Sequence, residues 1–208
     1  MKGYFISVEG GDGSGKSTQI RNIEAYLRER GKEVLLTREP GGTPVAEKIR
    51  ELILDPANTA LTGRAEMLLY AASRAQHVEE KILPALEAGK VVLSDRFTDS
   101  SIAYQAYGRG LGDMVAEVNR IATGGKAPDL TIFLNITPAA GIARKNQQDG
   151  HVLDRLELEQ AAFHEKVYAG YLALAKESGG RIADIDADRP AEEVFVDIRA
   201  QLDRLFGF

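Results

Sequence analysis

The chain has 208 residues, of which 44% are hydrophobic and 27% charged, and these values predict one globular domain over residues 1–208 with a substantial core. A net charge of −5 argues against a protein that coats nucleic acid. The sequence contains no cysteine, which excludes disulfides, thiol catalysis and cysteine-based zinc sites.

Histidine spacing and hydropathy exclude two further classes of protein. His77, His151 and His164 lie far apart in the sequence, so we expect packing or surface residues rather than metal ligands. The apolar stretch near the start of the chain ends at Val8, too early for a signal peptide, and no run is long enough to span a membrane. We therefore expect a cytoplasmic protein with no membrane partner.

The first element of the chain leads directly into a phosphate-binding motif. Residues 4–9 are apolar, aromatic or β-branched and predict a short buried strand. The next residues follow the pattern of Gly, four residues, then Gly-Lys-Ser, whose backbone amides surround a phosphate. The lysine reaches the β- and γ-phosphates in such loops, and the serine hydroxyl binds Mg²⁺. The residues assigned to this loop are Gly10, Gly11, Asp12, Gly13, Ser14, Gly15, Lys16, Ser17 and Thr18.

The motif indicates a nucleoside-triphosphate site rather than a dinucleotide site. The dinucleotide pattern G-x-G-x-x-G fails here because its last glycine would fall on Lys16. A glycine-rich surface turn is the alternative, but a strand before the motif and a helix after it favour the phosphate loop.

Strands and helices alternate along the rest of the chain. Short apolar runs predict strands at 34–37, 91–95, 130–134 and 181–185. Amphipathic patterns predict helices at 16–30, 44–54, 64–86, 113–122 and 155–177, and others beginning at Pro138 and Pro190. This alternation predicts an α/β fold, a parallel β-sheet with helices on both faces.

The helix at 64–86 is predicted to have two different faces. Its expected apolar stripe consists of Leu68, Ala71, Ala72, Ala75, Val78 and Ile82. Tyr70 and Arg74 lie four residues apart on the opposite flank and point the same way. Pro84 is expected to kink the last turn.

Arginines stand near successive strand and helix ends, at Arg38, Arg50, Arg74, Arg96 and Arg144. Ligands bind at the carboxyl ends of parallel strands. Transfer of phosphate to another phosphate brings two polyanions together, so charge neutralisation is the main requirement, and arginine matches phosphate oxygens well. For any one arginine the alternative is a solvated surface charge. The strand at 91–95 ends in Asp95, as a Walker B strand ends in a carboxylate.

Two other classes of phosphate-loop protein fit poorly. A guanine-binding switch protein needs an Asn-Lys-x-Asp tetrapeptide, and residues 145–149 are the nearest approach without matching it. A helicase or motor needs more chain and a nucleic-acid track.

Several longer segments together resemble the bacterial thymidylate kinase (dTMP kinase) family, from Tyr4 to the C-terminal helix. They are EGGDGSGKST at 9–18, TREPGG at 37–42, YAASR at 70–74, DRFTDSSIAYQ at 95–105, PDLT at 128–131 and LDR at 153–155. The resemblance implies a nucleoside monophosphate kinase fold with a short lid at about 144–153. It implies transfer of the γ-phosphate of ATP to dTMP, giving dTDP and ADP, in the synthesis of dTTP.

The resemblance also implies roles for individual residues. Lys16 and the loop amides would hold ATP, with Ser17 and Asp95 near Mg²⁺, and Asp12 would organise Mg²⁺ or the acceptor phosphate. The side chains implied to hold dTMP are Arg96 and Arg50 at the phosphate, Arg38 and Glu39 in support, Tyr70 stacked on thymine, Arg74, Ser101 and Gln105 at the polar edge of the base, and Tyr104 against the 2′ carbon of the sugar. Core packing is the alternative for the two tyrosines.

Two further features follow from the resemblance. Relatives that carry an arginine inside the phosphate loop have it at the position of Gly13, so here the catalytic positive charge must come from the lid, with Arg144 named first and Lys145 and Arg155 as alternatives. The family also implies a homodimer.

Two rival functions remain open at this stage. A nucleoside kinase would need a carboxylate base beside a 5′-hydroxyl, and Glu9 or Asp95 could serve. A non-catalytic nucleotide sensor would share the loop, but the presence of Lys16, Ser17 and Asp95 favours an enzyme.

Overall fold

A computed structural model describes residues 3–145 and 154–208, and it contains one parallel sheet of five strands. The strands are β1 (Tyr4–Glu9), β2 (Val34–Arg38), β3 (Val91–Asp95), β4 (Leu130–Asn135) and β5 (Ile182–Asp186). Their order across the sheet is β2-β3-β1-β4-β5, and every pair is parallel, as predicted.

Helices connect the strands, and two segments in the described chain are π-helical. The α-helices are α1 (Lys16–Glu29), α2 (Pro44–Leu54), α3 (Gly63–His77), α4 (Leu83–Glu87), α5 (Thr98–Ser101), α6 (Met114–Thr123), α7 (Pro138–Lys145), α8 (Ala161–Glu177) and α9 (Ala191–Phe206). The π-helical segments are Val78–Ile82 and Ile102–Gly108. None of the helices within residues 3–145 and 154–208 is both long and apolar enough to cross a membrane.

Both faces of the sheet are covered, as the alternation of elements predicts. On one face α1 and α9 pack against the sheet through side chains such as Ile23 and Ile198, which are fully buried. On the other face Val78, Ile82 and Phe97 form one cluster, while α8 and the second π-helical segment pack around Phe133.

The register of the sheet brings the ends of three strands together. Val8 lies opposite Asp95 between β1 and β3, and Arg38 lies opposite Asp95 between β2 and β3. The segments that follow these strands therefore start at one edge of the sheet, beside the point where the chain order reverses at β1. The predicted site residues lie at this edge.

The expected apolar stripe of α3 is wrong in part. Leu68 and Ala72 are exposed, whereas the polar side chains of Glu66, Ser73 and Arg74 are buried. The helix turns its polar face inward because that face finds hydrogen-bond partners there, which removes the usual penalty for burying polar groups.

Two predicted helix boundaries also differ. The helix expected at 64–86 is interrupted by the first π-helical segment, where the Leu83 amide reaches back to the carbonyl of Val78, just before Pro84. The helix expected at 155–177 begins only at Ala161, because the Asp154 carboxylate accepts the amide of Leu156 and holds the preceding residues in turns.

Candidate functional site

The loop between β1 and α1 has the backbone expected of a phosphate-binding loop. Gly10, Gly13 and Gly15 have φ angles of 150°, 70° and 87°, in the region that favours glycine. Lys16 opens α1 and donates from Nζ to the carbonyl oxygens of Gly10 and Gly11, at 3.1 and 2.9 Å. The ammonium group therefore lies beside the positive end of α1, where the loop can receive phosphate oxygens.

The charges around the loop are tuned by burial and by one another. Burial lowers the pKa of Lys16 to about 8, and Arg96 acts in the same direction while Asp95 opposes it. The ammonium group is still mostly protonated at neutral pH. Burial would raise the pKa of Asp12, but Arg96, Lys16 and Lys145 outweigh that effect and lower it. Asp12 is therefore an ionised carboxylate among cations.

A cavity opens beside the loop, between α2, α3 and the chain that follows β3. Its wall contains Asp12 and eight of the nine side chains expected to hold the acceptor: Glu39, Arg50, Tyr70, Arg74, Arg96, Ser101, Tyr104 and Gln105. We call it the acceptor cavity. Residues far apart in sequence thus converge on one cavity, which core packing of the two tyrosines alone would not require.

The guanidinium group of Arg74 is held rigidly in the wall of this cavity. Its Nε donates to Glu39 at 2.7 Å, and its Nη1 donates to Ser101 at 3.0 Å and to Asn119 at 2.6 Å. Its Nη2 donates to the carbonyl oxygen of Phe97 at 3.1 Å. With the side chain only 2% exposed, the orientation of this fork is fixed by the fold.

Glu39 extends the same network away from the cavity. Its second oxygen contacts His77 Nδ1 at 2.9 Å, and His77 Nε2 contacts Thr37 Oγ1 at 2.7 Å. His77 is fully buried, as expected for a packing residue. No group of three potential metal-ligating side chains occurs within residues 3–145 and 154–208.

Arg96 has an unusual backbone conformation that aims its side chain at the phosphate loop. Its φ of 68° is the one positive value at a non-glycine residue in the described chain, a conformation that costs about 1–3 kcal/mol. Nη1 donates to the carbonyl oxygen of Gly10 at 3.0 Å and to the hydroxyls of Ser100 and Tyr171, each at 3.2 Å. Nη2 lies 3.6 Å from Asp12. Arg96 therefore stands between the loop and the acceptor cavity.

Glu9 holds this arrangement in place, a role that the sequence did not predict. Its Oε1 accepts the amide of Phe97 at 2.7 Å, and its Oε2 accepts the hydroxyls of Ser100 and Tyr171 at 2.5 and 2.9 Å. Burial, followed by the charge of Asp99, raises the pKa of Glu9 to about 7. The available signal was a carboxylate ending a buried strand, but its partners lie up to 162 residues away.

A second cleft lies on the other side of the loop and contains the two expected metal ligands. Ser17, Asp95 and Arg38 line it together. Asp95 Oδ1 is buried and has no hydrogen-bond partner among the residues that the structure describes. A carboxylate oxygen left unpaired beside a serine hydroxyl fits the oxygen ligands that Mg²⁺ prefers. Arg38 pairs with Glu47 at 2.9 Å and so lies outside the acceptor cavity, where we had expected it.

The three lid cations have different surroundings. Arg144 donates to the carbonyl oxygen of Ala187 at 2.7 Å and to Asp188 at 2.9 Å. Lys145 lines a cavity with Gly11 and Asp12 and pairs with Glu157. Lys145 is therefore the lid cation that faces the phosphate loop. Most of the lid expected at 144–153 lies outside the described residues.

Arg155 belongs to a buried cluster that the sequence analysis missed. It donates to the carbonyl oxygen of Ile53 at 2.8 Å and to Glu66 at 2.6 Å. Glu66 is fully buried and stands four residues before Tyr70 on α3. Helical spacing was the signal that would have placed Glu66 on the cavity side of the helix.

Helix α7 approaches the phosphate loop through two glycines. A Cβ atom built on Gly13 would lie 1.9 Å from the carbonyl oxygen of Gly141, and one on Gly141 would lie 2.2 Å from that of Asp12. Both contacts are with backbone atoms, which cannot rotate away. The contact therefore requires glycine at both positions.

Comparisons with known proteins agree with this geometry. The family model described as thymidylate kinase matches residues 8–198. A thymidylate kinase of Geobacillus sp. (strain WCH70) is 50% identical over 209 residues and covers 100% of both chains. One from Lactobacillus delbrueckii subsp. bulgaricus is 53% identical over 196 residues, covering 93% of this chain and 92% of its own. The crystal structure of thymidylate kinase from Ehrlichia chaffeensis has a TM-score of 0.77 at 30% identity, covering 98% of this chain and 99% of that one.

The close approach of α7 makes Gly13→Ala a test of the loop geometry. We expect a lower melting temperature and weaker binding of a nucleoside triphosphate, because the added methyl group meets the Gly141 carbonyl. Gly112→Ala is the matched control, since Gly112 has a φ of 60° and an added Cβ there meets nothing within 4 Å. Calorimetric melting and titration that showed equal losses in both variants would contradict this interpretation.

Proposed function

The chain belongs to the thymidylate kinase family, and from this premise we propose how its residues carry out the reaction of that family. It is an enzyme that transfers phosphate from ATP to dTMP, giving dTDP, a step in dTTP synthesis. Because both nucleotides are made and used inside the cell, we place the protein in the cytoplasm.

We propose that dTMP occupies the acceptor cavity. The observation that carries this proposal is the convergence of eight expected acceptor side chains on that one cavity. In this placement Tyr70 stacks on thymine, and Tyr104 packs against the 2′ carbon of the sugar and disfavours ribonucleotides. Arg74, Ser101 and Gln105 face the polar edge of the base.

The acceptor phosphate then lies between two arginines. Arg50, whose Nη1 donates to the carbonyl oxygen of Pro40 at 2.8 Å, would bind it from the side of α2. Arg96 would bind it from the side of the phosphate loop. Since a phosphate acceptor is already an anion, neutralisation of charge matters more than a general base.

ATP would bind on the opposite side of Arg96. The amides of residues 10–18 would surround its phosphates, and Lys16 would contact the β- and γ-phosphates. Asp12 would orient the groups around the transferred phosphate. The two nucleotides would thus meet end to end above the loop, within a single domain spanning residues 1–208 that closes its lid over them and excludes water.

Ser17 and Asp95 are the residues that would hold Mg²⁺. The buried, unpartnered Oδ1 of Asp95 supports this assignment. When bound, Mg²⁺ neutralises phosphate charge and bridges phosphate oxygens. The protein's own part is to present these two oxygens at the start of α1 and the end of β3.

We further propose that the protein is a homodimer formed through α2, α3 and α6. These three helices pack side by side, α3 between the other two. Val45 and Leu52 on α2, Leu68 on α3, and Met114 and Ile121 on α6 are 43–67% exposed. The pairs on α2 and α6 are each seven residues apart and so lie on one face of their helix. A second copy of the chain is the occupant that the family implies.

The geometry argues against the rival function of a nucleoside kinase. Such an enzyme needs a carboxylate that reaches a 5′-hydroxyl as a general base. Glu9 is fully buried, and both of its oxygens already accept hydrogen bonds from the protein. Asp95 lines the cleft with Ser17 rather than the acceptor cavity.

An acceptor screen tests the proposed placement of both nucleotides. We expect the protein to phosphorylate dTMP in preference to thymidine and the other nucleoside monophosphates. Lys16→Ala should lower kcat about a hundredfold or more at an unchanged melting temperature, because the lysine contacts the transferred charge. Preference for thymidine, or full turnover by Lys16→Ala, would contradict the proposal.

The lid cations are tested by a pair of variants. We expect Lys145→Ala to lower kcat about tenfold or more with a smaller change in KM, as for a contact made mainly in the transition state. Arg144→Ala is the neighbouring control, and its effect should be smaller because its side chain binds Ala187 and Asp188. A larger loss of kcat in Arg144→Ala would restore the original assignment from sequence.

The dimer is tested by placing a charge on its expected face. Ile121→Asp should shift the protein toward monomer in analytical ultracentrifugation, because an aspartate buried at an apolar interface lacks a partner. Val196→Asp is the matched control, since Val196 is 53% exposed on α9, outside the three helices. A monomeric wild type, or equal dissociation of both variants, would overturn the proposed interface.

A further inference from the structure

Glu66 lies behind the acceptor cavity and touches none of its space directly. The carboxylate is fully buried and has three partners. Gln105 donates to it from Nε2 at 2.9 Å, Arg109 from Nε and Nη2 at 3.2 and 2.9 Å, and Arg155 from Nη2 at 2.6 Å. Of these three partners, Gln105 lines the acceptor cavity.

The two arginines keep Glu66 ionised. Burial by itself would raise the pKa of Glu66, but the hydrogen bonds from Arg109 and Gln105 and the charge of Arg109 outweigh it, so the pKa lies below its usual value. An ionised carboxylate only accepts hydrogen bonds. Every group that faces Glu66 must therefore present a donor.

This requirement fixes the orientation of the Gln105 amide. Its NH₂ group must face Glu66, because its carbonyl oxygen would be repelled there. Gln105 Oε1 accepts no hydrogen bond from the described part of the chain. The side chain can therefore offer the acceptor cavity an acceptor and not a donor.

Arg74 contributes the complementary group. A guanidinium has five N–H donors, and four of them are used by Glu39, Ser101, Asn119 and the carbonyl of Phe97. The fifth, on Nη2, remains for a ligand. The cavity wall thus combines one fixed acceptor with one fixed donor.

Building on the proposed dTMP site, we propose that Glu66 is a specificity-determining positioning residue, which selects thymine over cytosine by fixing the Gln105 amide. Thymine presents an N3–H donor next to the O4 acceptor, and this edge matches Gln105 Oε1 and the free N–H of Arg74. Cytosine presents an N3 acceptor next to an NH₂ donor, the reverse pattern. A site built for one pattern leaves its own buried polar groups unpaired against the other.

Glu66→Gln tests this directly. Its oxygen would face Arg109 and Arg155, its NH₂ group would face Gln105, and the Gln105 amide would turn over. We expect the ratio of kcat/KM for dTMP to that for dCMP to fall by about tenfold or more. A loss of packing alone would lower activity on both substrates equally and leave that ratio unchanged.

Arg109→Gln is the matched control. It removes another partner of Glu66 and its ion pair with Glu159, yet Arg155 still keeps Glu66 an acceptor. We expect a lower melting temperature but an unchanged ratio between dTMP and dCMP. A ratio that fell equally in both variants, or in neither while dTMP is still turned over, would overturn the role of Glu66.

A measurement on the wild type keeps the inference open to refutation if Glu66→Gln does not fold. In the labelled protein, the side-chain Nε2 hydrogens of Gln105 should exchange slowly with solvent before any nucleotide is added. Added dTMP should then shift the Gln105 Cδ resonance much more than the Nε2 resonance. Fast exchange or a dominant Nε2 shift would contradict the fixed orientation. Failure of the wild type to phosphorylate dTMP would instead overturn the proposed function, whatever the resonances show.

Discussion

The buried carboxylate of Glu9 is the constraint on which the rest of the site depends. It closes β1, accepts the amide of Phe97 and accepts two hydroxyls that also contact the guanidinium of Arg96. The strained backbone of Arg96 is thereby held at both sides. Because the phosphate loop begins at the next residue, this one carboxylate fixes the position of the acceptor arginine relative to the donor loop.

Glu39 and Glu66 repeat the same device farther from the loop. Each is buried, and each binds an arginine: Arg74 for Glu39, and Arg109 with Arg155 for Glu66. Buried ion pairs add little net stability, since desolvation offsets most of their attraction. Their effect here is orientation. They hold the polar groups of the cavity wall in place before any ligand arrives, so little ordering remains to be done on binding.

Close backbone contact sets the other boundary of the site. Helix α7 touches the phosphate loop where Gly13 meets Gly141, and no side chain fits between them. An arginine at position 13, as some relatives carry, is incompatible with this contact. The absence of a loop arginine and the approach of the helix that carries Lys145 are therefore two aspects of one arrangement.

The sequence by itself determined the parallel sheet, the phosphate loop and most residues of the acceptor cavity, because these depend on local pattern and on which residues follow a strand end. It did not determine which face of α3 is buried, where α8 begins, that Arg38 lies outside the cavity, or the roles of Glu9 and Glu66. Those features depend on partners distant in the chain, such as Tyr171 for Glu9 and Arg155 for Glu66, at separations of 162 and 89 residues. A polar side chain is buried only where the fold brings it a partner, and only the tertiary structure decides that.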